Sequence, residues 1–272
     1  FIKEPFLVPF IKNKIKNILG KKFDFQIGFI ICGTQKGGTT ALDRYLRMHP
    51  EICMADKKEV HFFDNDNFFI DKKPDYLKYH LNFSPRDHHK IIGEATPIYM
   101  YWKNSIKRIH NYNPDMKLIA VLRNPMDRAF SHWNMERDKK REHRSFWKAI
   151  KDEESSLLDT EHIQDRTFSY LDRGFYSDQI KQIQSTFNND QLLLLQNELL
   201  RNDPNKVLGK VAKFLSISSF ETVEHVEIHT RSYPIKLSND ELDFLHIFYK
   251  DEILKLESLL GWNLSEWKDK NE

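Results

Sequence analysis

The sequence predicts an α/β fold in which a central parallel sheet is flanked by helices on both faces. Two observations carry this. Four short apolar runs, Ile27–Cys32, Lys90–Gly93, Lys117–Leu122 and Gln191–Gln196, have the length and composition of buried strands. Each is followed within a few residues by turn-forming residues and then a helical pattern, the alternation that βαβ units require. Strands spaced in this way pair in parallel and are covered on both faces. Ligands in such sheets bind outside the carboxyl ends of the strands, so the residues just after each run are the first to inspect.

The helices follow from their end signals. Asn124 caps a helix over Pro125–Asp138, with Pro125 at the first position, where a missing N–H costs nothing. Further helices are expected over Asp172–Phe187 and from Asn239 to about Leu260, the latter capped by Ser238. The charged stretch Lys139–Thr167 reads as a surface helix and a mobile connection. Residues 27–272 make one domain on this reading, preceded by a basic amphipathic segment over 1–26. That segment places Ile11, Ile15, Ile18 and Leu19 between lysines. It suits a helix lying on a membrane or acceptor surface, or a terminal helix packed on the domain.

Composition narrows the function classes. A net charge of +2, from 42 basic and 40 acidic side chains, gives no general reason to expect a nucleic-acid partner. Any basic site must be local. Two cysteines, Cys32 and Cys53, are too few for a disulfide framework or a zinc cluster. Cys32 ends an apolar run and reads as a small buried hydrophobe, which favours a reducing, cytoplasmic setting. No apolar run in the sequence reaches the length of a membrane span.

After the first run comes GTQKGGTT, Gly33–Thr40, and then a helical pattern. A glycine-rich turn between strand and helix aims backbone N–H groups and a helix N-terminus at one point, an arrangement that binds phosphate or sulfate. The loop is P-loop-like but out of register with G-x-x-x-x-G-K-[ST]: the lysine is Lys36, inside the loop, not at position 39. The run KLIAVL then ends in Arg123, where a magnesium-holding carboxylate would stand in an ATP or GTP enzyme. Glu94 and Glu198 follow other strands and leave magnesium open, but a fixed cation at Arg123 points to an anion site without metal. Ser131, on the second turn of the following helix, can join Arg123 at a second phosphate, for which a forked guanidinium is suited.

GTQKGGTTALDRYLRMHP, KKEVHFFD, GEATPIYM and LIAVLRNPMDRAFSHW, in that order, resemble the sulfotransferase family, which uses 3′-phosphoadenosine 5′-phosphosulfate (PAPS). The likeness is to sulfotransferase domains of bacterial biosynthetic enzymes and to heparan sulfate sulfotransferases, from about Phe29 to the C-terminal helix. It implies that residues 27–272 are a single sulfotransferase domain. It further implies that Gln35, Lys36, Gly37, Gly38, Thr39 and Thr40 hold the 5′-phosphosulfate, and that Arg123 and Ser131 hold the 3′-phosphate. Tyr176 falls near the cofactor, and Thr230, Arg231, Ser232 and Pro234 in the loop that closes over it.

The reaction implied is sulfuryl transfer from PAPS to a hydroxyl, or less readily an amine, of a small-molecule, lipid or glycan acceptor, leaving PAP. Lys36 is placed to stabilise the departing oxygen. Glu59 matches the family's general base, and His61, two residues on, is the competing base. The two share a face in a strand but not in a helical turn.

Ala95 stands where heparan sulfate enzymes have a lysine, which counts against a sulfated polysaccharide acceptor unless His88, His89 or Lys103 compensates. The family's C-terminal disulfide is also missing. Phe62, Phe63, Tyr99, Tyr101 and Trp102 line an acceptor cleft or belong to the core. An ATP-dependent small-molecule kinase and a non-catalytic PAP-binding protein are the rival readings.

Overall fold

The structure, a computed structural model, describes residues 25–70, 73–159, 163–223 and 235–268. The amphipathic segment up to residue 24 and the loop with Thr230, Arg231, Ser232 and Pro234 therefore lie outside the described residues.

In chain order the elements begin β1 (Phe29–Gly33), α1 (Thr39–Arg47), β2 (Ile52–Met54), α2 (Tyr76–His80), β3 (Ile91–Ala95), α3 (Ser105–Tyr112), β4 (Lys117–Leu122) and α4 (Pro125–Asp138). There follow α5 (Phe146–Leu157), α6 (Tyr176–Gln184), β5 (Leu192–Gln196), α7 (Asn197–Asn202), α8 (Pro204–Leu215), α9 (Asn239–Leu260) and α10 (Ser265–Lys268). The five strands form one sheet in the order β2-β3-β1-β4-β5, and every neighbouring pair is parallel. All the carboxyl ends therefore open on one edge, which gathers the loops after the strands into one place.

Successive strand residues point to opposite faces and feed two cores. Ile30, Cys32, Leu118, Ala120 and Leu122 enter a core completed by α4, α5, α6 and α9. Phe29, Ile31, Ile119 and Val121 enter a second core, closed by α1, α7 and α8. The expected sheet with helices on both faces is the architecture observed. The end signals hold as well: Asn124 accepts the Met126 N–H at 3.0 Å, and Ser238 with Glu241 forms a capping box on α9.

Three local readings change. β2 was not expected; its three residues, ICM, are too few to show periodicity. The helix expected over Asp172–Phe187 breaks into a short 3-10 turn, Asp172–Gly174, and α6. The break admits Tyr249 from α9, whose hydroxyl oxygen would lie 2.4 Å from a Cβ at Gly174. Finally, α5 is not a free surface helix. Phe146, Ala149 and Ile150 are buried, and the Glu153 carboxylate accepts N–H groups from Tyr170, Leu171 and Asp172 at 2.6, 2.7 and 2.9 Å.

Candidate active site

The loop after β1 is tied to the strand beside it. Thr34 donates its N–H and its hydroxyl to the Val121 carbonyl at 3.1 and 2.8 Å, and Gly37 closes the turn by donating to Thr34 O at 2.9 Å. A Cβ on Gly37 would sit 2.2 Å from the Val121 oxygen, so no larger residue fits. Gly38 caps α1 at φ 102°, a backbone region that glycine enters freely, and offers no side chain to the helix. The N–H groups of Thr39 and Thr40, at the start of the helix, thus lie beside the loop without a side-chain cap. Asn197, just after β5, holds the loop from the far side by donating to Gly37 O at 2.8 Å. Lys36 is itself in the left-handed region, at φ 68°.

Arg123 follows β4 directly. Its guanidinium reaches the Lys36 carbonyl and the Asp127 carboxylate, both at 3.5 Å, so among the described residues it stands beside the loop with long contacts. Tyr176 is buried, and its hydroxyl donates to Arg123 O at 3.0 Å, so this tyrosine holds the backbone that presents the arginine. Ser131 is buried on α4. Its neighbour His132 is fully buried, and burial first, then the charges of Arg173, Arg128 and Lys36, push its imidazole well below the usual value, so it is a poor proton acceptor.

Glu59, Val60 and His61 lie in a loop that is neither strand nor helix, and the two competing bases are paired. Glu59 Oε2 lies 3.1 Å from His61 Nε2, while His61 Nδ1 lies 2.9 Å from Oδ2 of the fully buried Asp64. Lys58 Nζ is 2.9 Å from the other Glu59 oxygen. The Asp64 hydrogen bond and then that of Glu59 push His61 up to about 9 against desolvation. Burial would raise Glu59, but the His61 hydrogen bond and Lys58 outweigh it and bring the carboxyl down to about 2. Near neutrality Glu59 is a carboxylate paired with an imidazolium at His61.

β3 supplies the frame for this loop. Val60 N–H donates to Thr96 Oγ1 at 3.0 Å and Phe62 N–H to the Tyr99 hydroxyl at 2.9 Å, on either side of His61. Both hydroxyls in turn donate to Glu94, Thr96 at 2.6 Å and Tyr99 at 3.1 Å, and Tyr79 adds a third bond at 2.8 Å. Burial pushes Glu94 up to about 7, and its oxygens are taken by hydroxyls, not left open to a metal. The sequence reading weighs Glu94 only for magnesium and Tyr99 only as cleft lining or core, and passes over Thr96; the signal for this scaffold was an acid inside the apolar run IIGEA. Phe62, Phe63, Tyr99 and Tyr101 are core residues, not the lining of a cleft. His88 and His89 precede β3, at the sheet edge opposite Glu59, and so do not replace the cation missing at Ala95.

One edge of the sheet thus carries a glycine-rich loop with Lys36, a strand-end arginine and a carboxylate–imidazole pair. Residues 26–241 match the sulfotransferase domain. The chain belongs to the sulfotransferase family. A human heparan sulfate glucosamine 3-O-sulfotransferase, 3B1, is 32% identical over 208 residues, covering 75% of this chain and 50% of that protein. A mouse bifunctional heparan sulfate N-deacetylase/N-sulfotransferase, 4, is 26% identical over 284 residues, covering 91% of this chain and 32% of its own length. The chain therefore spans half or less of these curated relatives. Among solved structures, a sulfotransferase from Alicyclobacillus acidocaldarius superposes with a TM-score of 0.77 at 28% identity, covering 90% of this chain and 100% of that one. The sulfotransferase fold is thus shared over nearly the whole chain.

Proposed function

We propose that this sulfotransferase moves the sulfuryl group of PAPS to an acceptor hydroxyl, with Glu59 as general base and Lys36 as the cation at the departing oxygen. The observation that carries the reading is the meeting, on one sheet edge, of the Lys36 loop and Arg123 with the Glu59–His61–Asp64 trio. The loop suits the donor: its α1 N-terminus is uncapped by any side chain, and its glycines let the backbone approach closely. On this reading Gln35–Thr40 take the 5′-phosphosulfate and Arg123 with Ser131 the 3′-phosphate.

Glu59 draws the proton from the acceptor hydroxyl as its oxygen bonds to sulfur. The bond from sulfur to the phosphate oxygen breaks, and the Lys36 ammonium and the loop amides stabilise the charge left there. A sulfate ester and PAP result. The acceptor we favour is a glycan hydroxyl, the class named for the curated relatives, although Ala95 removes one acceptor-side cation. Small-molecule and lipid alcohols suit the same chemistry and belong in the assay.

Two measurements test the reading. A thermal shift should show stabilisation by PAP and none by ATP–magnesium; the reverse pattern would identify a kinase. Labelled sulfate should then pass from PAPS to a member of a panel of glycans, phenols, lipid alcohols and small alcohols. PAP binding without transfer to any of them would make the protein a nucleotide-binding module.

A further inference from the structure

The connection between α5 and α6 carries two arginines that the motifs do not single out. Arg166 lies over the Trp102 ring, 4.9 Å from its centroid, and donates through Nη1 to the Asp64 carbonyl at 2.6 Å. Its Nη2 donates to Asp64 Oδ2, the oxygen that also meets His61 Nδ1. Arg173 is buried over the Tyr101 ring at 4.8 Å. Its Nη1 donates to the Gln35 side-chain oxygen, and its Nη2 to the carbonyls of Arg166 at 2.7 Å and Asp165 at 3.3 Å. Gln164 pins the same segment, donating to Tyr101 O at 2.6 Å and accepting the Lys103 N–H at 2.8 Å.

A buried carboxylate must be paired to stay charged, and a planar fork fixes the orientation of its partner in a way that a lysine cannot. Asp64 has no solvent exposure, and Arg166 grips both its backbone and its carboxylate. Asp64 in turn fixes which way the half-exposed His61 ring faces, and so whether Nε2 meets Glu59. Arg173 fixes the backbone that bears Arg166 and, with its other nitrogen, the donor loop.

We propose that Arg166 is a positioning residue for the base and that Arg173 locks it to the donor loop. One chain of contacts, Gln35–Arg173–Arg166–Asp64–His61–Glu59, in which Arg173 meets the Arg166 main-chain carbonyl, then sets base and donor loop at a fixed separation. The roles of the two ends rest on the sulfotransferase reading; the contacts between them do not. Fixed placement matters because small displacements of reacting groups cost rate steeply.

Proton NMR of the free protein tests the positioning without donor or acceptor. The wild type is expected to show a low-field His61 Nδ1–H resonance, assigned by its loss in His61→Gln. Arg166→Gln should lose it, and Arg166→Lys should recover it in part. By calorimetry Arg166→Gln should bind PAP within about twofold of wild type, since it touches no donor-loop group. Arg173→Gln should bind PAP about tenfold more weakly, the loss of roughly one charge-assisted hydrogen bond behind the loop. Turnover in Arg166→Gln should fall about 10- to 100-fold, as when an orienting partner is removed, with acceptor KM unchanged. Persistence of the resonance in Arg166→Gln, its absence from the wild type, or equal loss of PAP affinity in the two glutamine variants would overturn the proposal. Failure of the wild type to bind PAP would sink the sulfotransferase reading, while the resonance would still decide the role of Arg166.

Discussion

Raising the pH from 7 to 9 should accelerate sulfuryl transfer, and the reason lies in the Glu59–His61–Asp64 geometry. While His61 keeps its proton, Glu59 is held down at about 2 and is a feeble base. Once the imidazolium loses that proton, near about 9, the pair can accept the acceptor's proton with the affinity of that same step. At pH 7 only about 1% of molecules are in this form, two decades below its midpoint. With a Brønsted slope of ~0.5, a base at about 9 outpaces one at about 2 by roughly three thousand-fold. The rare form therefore still carries roughly thirty times the flux of the common one at pH 7. Acceptor kcat/KM should climb about tenfold per pH unit from 6.5 to 8 and level off above about 9. The assay is steady-state transfer of labelled sulfate at saturating PAPS and constant ionic strength, with His61→Gln as the control, whose profile should be slower and flat. A wild-type profile that is flat or falls between pH 6.5 and 8.5 refutes the reasoning.

Other outcomes follow from the same site. The raised His61 value adds stability that is whole below the ordinary imidazole value of 6.5 and is lost as pH rises through about 9, so the wild-type Tm should fall across that window and that of His61→Gln should not. Glu59→Gln should keep PAP affinity by calorimetry but lose about 10²–10⁴-fold in kcat; if turnover persists there and His61→Ala abolishes it, His61 is the base. Lys36→Ala should lower kcat by about 10²–10³-fold, as for the loss of one transition-state donor. Thr96→Val strands the Val60 N–H, so chemical denaturation should show a loss of about 1–3 kcal/mol, with kcat reduced and PAP affinity kept. Gly37→Ala forces a Cβ against the Val121 oxygen and should cost about 1–3 kcal/mol together with PAP binding.

The alternation of apolar runs with helical patterns was enough to specify the parallel sheet, its two helical layers and the edge where the candidate site residues gather. Local chemistry sufficed for α4 and α9, whose caps are side chains a few residues from the N–H groups they satisfy. GTQKGGTT and Arg123 stood out as candidates because a strand-to-helix turn and a strand end take their meaning from position in the chain. β2 was not, being too short for any period, and neither was the break at Gly174, which answers to Tyr249, 75 residues away in sequence.

Whether Glu59 and His61 are rivals or partners likewise could not be read from KKEVHFFD. A two-residue spacing puts side chains on one face only in a strand, and this loop takes its shape from Thr96 and Tyr99 through their bonds to Val60 and Phe62. The sequence alone determined the fold class, the glycine-rich strand-to-helix loop and the absence of a lysine at position 95. Only the tertiary structure decided that Glu94 is a scaffold, that Asp64 stands behind His61, and that Arg166 and Arg173 link the Glu59–His61 pair to the Gln35 loop. Those bonds span up to 138 residues of chain, and long-range hydrogen bonds between polar side chains leave no periodic mark in a sequence.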